Sequence, residues 1–124
     1  MADRKKSADR RKTENETYLE CADLALDLST RNLTKGNGGP QRLTPKLCRL
    51  LATFIRNRGE VLSREFLMHE VWETEYFGDT RTLEVHVSWL RAMIEDDRSS
   101  PRYLHTVRGV GYWFEPNQRS DGKL

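Results

Sequence analysis

Histidine and cysteine are the first residues to weigh for chemistry in this chain, and their spacing offers none. His69, His86 and His105 stand alone, with no nucleophile–base pair or triad around them and no metal-ligand spacing. Cys21 and Cys48 lie 27 positions apart without a CxxC pattern, which reads as two reduced thiols, a disulfide or redox switch being the alternative. No catalytic residue, metal or cofactor is expected. The remaining chemistry is that of binding, and it concentrates between Thr80 and Phe114. There an amphipathic helix is followed by a polar break and a short hairpin with one arginine, Arg108, near its tip. A helix of that kind fits a DNA major groove, and a hairpin arginine can enter a narrow minor groove or grip phosphates. A solvated hairpin arginine is the alternative at Arg108.

The helix is expected from about Thr80 to Asp96. Leu83, Val87, Leu90 and Ile94 share one side of the helical wheel and should be buried. The opposite side presents Arg81, Val85, Ser88 and Ala92, flanked by Thr82 and Trp89. An ordinary solvated face would be full of lysine and glutamate. This one is small, partly apolar and almost free of acid, which suits base edges and thymine methyls. A face packed on another protein is the competing reading.

The elements that must hold this helix come earlier. Thr44 and Pro45 open a helix as N-cap and first residue, and Leu47, Leu50, Leu51, Phe54 and Ile55 give it one apolar stripe, with Cys48 at its edge. Gly59 ends it. Val61-Leu62 reads as a short extended link. Ser63 caps a second helix to about Trp72, with Phe66, Leu67 and Val71 facing inward. The loop 73–79 is acidic through Glu73, Glu75 and Asp79 and carries Tyr76 and Phe77. Ahead of these helices, the alternation Leu24-Ala25-Leu26-Asp27-Leu28 and the turn residues 36–40 indicate a small antiparallel sheet ending with a strand at Gln41–Leu43.

Charge supports two surfaces rather than one basic protein. The net charge is only +2, but residues 42–58 hold five basic groups and no acid, while 60–97 hold ten acids against three arginines. Residues 1–16 have six basic and four acidic groups and no large apolar side chain beyond Met1, so they are expected to form a flexible charged linker or arm. Residues 117–124 are expected to be a disordered tail. No apolar run approaches the ~20 residues needed to span a bilayer, and the N-terminus lacks the apolar core of a signal peptide.

Taken as a set, LTPKLCRLLATFIRNRGEVLSREFLMHEVW, the TRTLEVHVSWLR helix and the HTVRGVGYWF hairpin resemble the DNA-binding effector domain of OmpR/PhoB-type response regulators. The resemblance covers about residues 18–115 and defines a domain expected over 17–116. It implies an α+β fold, a winged helix-turn-helix with an N-terminal small antiparallel sheet, three helices and a C-terminal β-hairpin wing. It implies sequence-specific binding of double-stranded DNA for transcription regulation, as the output domain of a two-component phosphorelay in a bacterial cytoplasm. Helix 81–96 would occupy the major groove and hairpin 104–114 the minor groove or backbone. By motif, Arg81, Thr82, Val85, His86, Ser88, Trp89 and Arg91 would be recognition-helix contacts. Arg64 and Trp72 would touch the sugar–phosphate backbone, and Thr106, Arg108 and Tyr112 would serve the wing. Arg81 and Arg91 are the expected phosphate clamps. Glu84 could accept from a cytosine amine or face solvent, and His86 could donate to phosphate or be buried at the helix–sheet joint.

The chain departs from the family at Ser88-Trp89, where arginines are common, so fewer guanine contacts and more apolar contact and shape reading are expected. Trp89 packing on a neighbouring protomer is the alternative. The loop residues Glu73, Glu75, Tyr76 and Phe77 would meet RNA polymerase. Such domains are usually joined to a receiver, and the 17 residues ahead of the first strand are too few for one. The chain is therefore expected to be an excised effector domain or a stand-alone regulator without a receiver, monomeric alone and pairing on repeated half-sites. A winged-helix protein-interaction module is the other class; weak, salt-insensitive DNA binding would favour it.

Overall fold

The computed structural model describes residues 17–75 and 78–116. The expected arm at 1–16, the expected tail at 117–124, and Tyr76 and Phe77 lie outside the described residues. The chain opens with four short strands, β1 (Tyr18–Cys21), β2 (Leu24–Asp27), β3 (Asn32–Lys35) and β4 (Gln41–Arg42), paired in that order as an antiparallel meander. Period-two alternation gives the sheet one apolar face. Leu19, Leu26 and Leu33 fall in one cross-strand row, and all three are buried.

Three helices follow: α1 (Pro45–Arg56), α2 (Arg64–Trp72) and α3 (Arg81–Ile94). The first two begin where capping chemistry dictates. The Thr44 hydroxyl accepts from the Leu47 N–H at 3.2 Å, and the Ser63 hydroxyl from the Phe66 N–H at 3.0 Å. The stripe Leu47, Leu50, Leu51, Phe54 and Ile55 of α1 is buried, as is Cys48. Leu83, Val87, Leu90 and Ile94 of α3 are buried together. Phe54 anchors the centre, stacked on Phe114 at 6.0 Å and edge-on to Tyr112 at 6.5 Å.

The last sheet differs from expectation in membership. The hairpin β6 (Leu104–Val107) and β7 (Gly111–Phe114) is joined by Val61–Ser63, which is a strand, β5, rather than a simple link. The order is β5-β7-β6, with Val61 opposite Trp113 and Ser63 opposite Gly111. Gly111 makes this approach possible, because a Cβ there would run into the Leu62 carbonyl oxygen. The hairpin turn is tight. Only Arg108, Gly109 and Val110 connect the strands, with Gly109 at φ +77° and the Val110 N–H donating to the Val107 carbonyl at 2.9 Å.

Two further expectations are corrected. Phe66 is not inward but 39% exposed, because the buried face of α2 is formed by Leu67, Met68 and Val71 and Phe66 lies on the opposite side of the helix. α3 ends at Ile94 rather than near Asp96. Glu95 turns to an extended backbone, φ −93° and ψ 145°, and its buried carboxylate accepts from the N–H groups of Arg102, Tyr103 and Leu104. That clamp fixes where β6 begins relative to α3. No helix among the described residues is long and apolar enough to cross a membrane.

Candidate nucleic-acid interface

The outward side of α3 is the surface the sequence singled out, and its side chains are arranged in three groups. At the N-terminal end, the Asp79 carboxylate accepts from the Arg81 backbone N–H at 3.0 Å and from its guanidinium at 2.7 Å. Thr80, the helix cap by position, makes no capping hydrogen bond, so Asp79 performs that role from one residue earlier. The Arg81 guanidinium holds the Asp79 carboxyl down to about 2. Both side chains are exposed, so the latch is open to competition from an anion in solvent.

Along one flank runs a series of rings. Trp72, at the end of α2, stands edge-on to His86 at 5.0 Å, and His86 lies 5.0 Å from Trp89. The His86 Nδ1 sits 2.8 Å from the Thr82 carbonyl oxygen and therefore carries the proton of that hydrogen bond. His86 is half-buried on this outer flank and is not at the helix–sheet joint. Val85 and Trp89, one turn apart, are 44% and 49% exposed, and Ser88 and Ala92 are exposed with them.

On the other flank, α2, α3 and the hairpin meet. Arg91 donates from Nε to the Leu104 carbonyl at 3.0 Å and from Nη2 to the Thr106 hydroxyl at 2.9 Å. Tyr112 is 4% exposed, with the guanidinium groups of Arg64 and Arg91 over its ring at 5.5 and 5.9 Å. Arg64 also approaches Glu84 at 3.8 Å, and Glu84 accepts from the Thr80 hydroxyl at 3.1 Å. The Arg64 backbone N–H donates to the Val110 carbonyl at 3.3 Å, tying the hairpin tip to the start of α2. Arg108 is exposed at that tip. Among the described residues no cluster of histidine, cysteine and carboxylates could hold a metal ion.

This arrangement of sheet, three helices and hairpin has known counterparts. The family described as "Transcriptional regulatory protein, C terminal" matches residues 38–114. The chain belongs to this family, the OmpR/PhoB-type DNA-binding domains of response regulators. The family is one of transcription regulators and not of enzymes. AfsQ1, a transcriptional regulatory protein of Streptomyces coelicolor, is 46% identical over 77% of this chain and 42% of its own length. The chain thus spans less than half the length of the curated relatives it matches. DrrB of Thermotoga maritima, described as an OmpR/PhoB homolog, superposes with a TM-score of 0.70 at 30% identity, over 83% of this chain and 46% of that one. The DNA-binding domain of Klebsiella pneumoniae RstA, solved in complex with the RstA box, gives 0.71 at 26% identity, over 82% and 99%.

Within this OmpR/PhoB-type domain, the residues named from the sequence fall into different environments. Arg81, Thr82, Val85, Ser88, Trp89, Thr106 and Arg108 are at the surface. Arg64, Arg91 and Tyr112 are drawn inward, and their contacts hold α2, α3 and the hairpin together. Of the acidic loop, Glu73 pairs with Arg49 at 3.0 Å and Glu75 approaches His69 at 3.3 Å. Sequence reasoning assigned no role to Asp79 or Glu95. An Asp two residues before a helix-opening Arg was a usable signal for the first. Glu95 had no local signal, because its partners lie seven to nine residues ahead across a turn.

Proposed function

We propose that this domain binds double-stranded DNA with α3 in the major groove and the β6–β7 hairpin against the adjoining minor groove or backbone. The observation that carries the reading is the outward side of α3, where Arg81, Val85, Ser88 and Trp89 are presented beside a hairpin tip bearing Arg108. Arg81 and Arg108 would contact phosphate or the minor groove, and Thr82, Val85, His86, Ser88 and Trp89 would face the groove floor and wall. Arg64, Trp72, Arg91, Thr106 and Tyr112 would border the backbone, their internal contacts fixing the spacing of the two grooves' readers. Support comes from the family and from the RstA domain solved on its DNA box.

The same reading places residues 17–116 as the output unit of a bacterial cytoplasmic regulator. A receiver on a phosphorelay would pair two such domains on repeated half-sites. Glu73, Glu75, Tyr76 and Phe77 would offer an acidic, aromatic surface to RNA polymerase. The test is selection from a random duplex library with wild type and Arg108→Ala. A repeated motif is expected, with affinity falling as salt rises and a salt slope smaller by about one in the variant. Salt-insensitive binding, or no motif even after fusion to a constitutive dimeriser, would overturn it.

A further inference from the structure

The base-facing stretch of α3 has apolar groups where a guanine reader needs donors. Guanine is read in the major groove by an arginine or lysine placed bidentately on N7 and O6, whereas thymine is distinguished by its 5-methyl group, which apolar surface recognises. Of the two guanidinium groups of α3, Arg91 is held by Leu104 and Thr106, and Arg81 sits in the first turn, latched to Asp79 and assigned above to phosphate or the minor groove. Ser88 has one hydroxyl and no fork. What projects is Val85 and, one turn on, Trp89, the two exposed large apolar side chains of the helix.

Trp89 is also held. Its ring rests 5.0 Å from His86, which Trp72 backs edge-on and the Thr82 carbonyl fixes through Nδ1. A ring ordered before DNA arrives loses little rotamer freedom on contact, so its apolar surface contributes more fully to discrimination. We propose that α3 selects thymine rather than guanine, with Trp89 and Val85 packing on thymine 5-methyl groups at neighbouring steps. The ligand class is an A·T-rich duplex half-site. The inference rests on the placement of α3 in the major groove and adds which base it prefers.

The test uses the whole chain on its selected site, with each thymine replaced in turn by deoxyuridine. That exchange removes the methyl and leaves every hydrogen-bonding edge intact. At one or two positions it should weaken wild-type binding by about fourfold, the worth of one buried methyl-sized group. Trp89→Ala should bind thymine and deoxyuridine alike at the step Trp89 covers and keep the difference at the Val85 step, Trp89→Phe should keep part of the difference at its own step, and Trp89→Arg should move the selected base toward guanine. A motif bound in a salt-dependent way but indifferent to deoxyuridine at every position overturns the thymine preference and leaves the major-groove placement standing. Absence of salt-dependent binding to any duplex removes both. A DNA-free dimer that Trp89→Ala converts to monomer by light scattering would give this face to a second copy and likewise overturn the proposal.

Discussion

Glu95→Gln should destabilise the domain by about 2 kcal/mol, although it changes neither size nor shape. The wild-type carboxylate is 8% exposed and serves three backbone donors: Arg102 at 2.7 Å, Tyr103 at 3.0 Å and Leu104 at 2.8 Å. A glutamine offers one acceptor oxygen and turns an NH2 group toward whichever donor the other oxygen served. If that donor is Leu104, a buried N–H is left without a partner. Hydrogen bonds to a charged acceptor contribute roughly 1.5–3 kcal/mol each, and an unsatisfied buried donor costs roughly 1–3 kcal/mol. One lost bond of three gives the stated value, and Glu95→Ala, losing all three, should cost about 4.5 kcal/mol or more. For a domain of about a hundred residues, 2 kcal/mol corresponds to roughly 10 °C in Tm. Urea unfolding followed by tryptophan fluorescence measures it, and hydrogen exchange at the Arg102, Tyr103 and Leu104 amides localises it. A glutamine variant within about 0.5 kcal/mol of wild type, the range of a neutral surface change, would refute the clamp.

Other consequences follow from single contacts. Asp79→Asn keeps an acceptor for the Arg81 N–H but removes the charge that holds its guanidinium; DNA affinity by fluorescence anisotropy at low salt should rise about two- to fivefold, and an unchanged affinity would mean Arg81 makes no phosphate contact. Gly111→Ala should destabilise by about 3 kcal/mol in urea, since its Cβ meets the Leu62 backbone and not a movable side chain. Gly109→Ala, strained only by its positive φ, should lose about 1 kcal/mol. At alkaline pH, burial and the bond to Asp23 push the Tyr103 hydroxyl up to about 12, and Asp96 and Asp23 raise Lys35. Raised folded-state values give stability that is complete below the ordinary tyrosine value of 10.0 and lost as pH climbs toward about 12. Thermal melts across that window should show the loss, and Tyr103→Phe should shrink it; an unchanged profile in the variant would dismiss the Tyr103 contribution.

The parts of this domain that could be read from sequence are those whose physics is local. Thr44-Pro45 and Ser63 announce helix starts because capping involves residues three apart, and the stripe of α3 is visible because burial repeats each turn. The alternation in β2 similarly reveals its apolar row. Val61–Ser63 could not be recognised as a strand, because three residues carry no period and their partner lies some fifty residues away at Gly111–Trp113. Phe66 misled for a related reason: apolar character on a helix implies burial only where another element covers that face. For the site, sequence located α3 and Arg108 but could not separate side chains that face outward from those engaged within. Arg81 and Arg91 both fall outside the buried stripe on a helical wheel drawn in isolation. Only the position of β6, set by Glu95, places a carbonyl and a hydroxyl against Arg91 and leaves Arg81 to Asp79.

That division of the arginines bears on how the domain would hold DNA. Arg64 and Arg91 flank a buried Tyr112 and connect the start of α2, the end of α3 and the hairpin, so these elements are tied to one another. On the proposed placement, such ties would set the separation between α3 and the hairpin and favour duplexes whose shape matches it. The same arrangement also draws the Arg64 and Arg91 charges inward and leaves other cations paired with acids. Arg91 has two of its donors engaged, Arg81 must first leave Asp79, and Arg49 is paired with Glu73. Since non-specific affinity grows with each phosphate neutralised, a domain that commits its central cations to its own architecture should grip random DNA weakly. Weak single-site binding is tolerable, and selective, where two tethered copies engage adjacent half-sites, because the second binding event then occurs at high effective concentration.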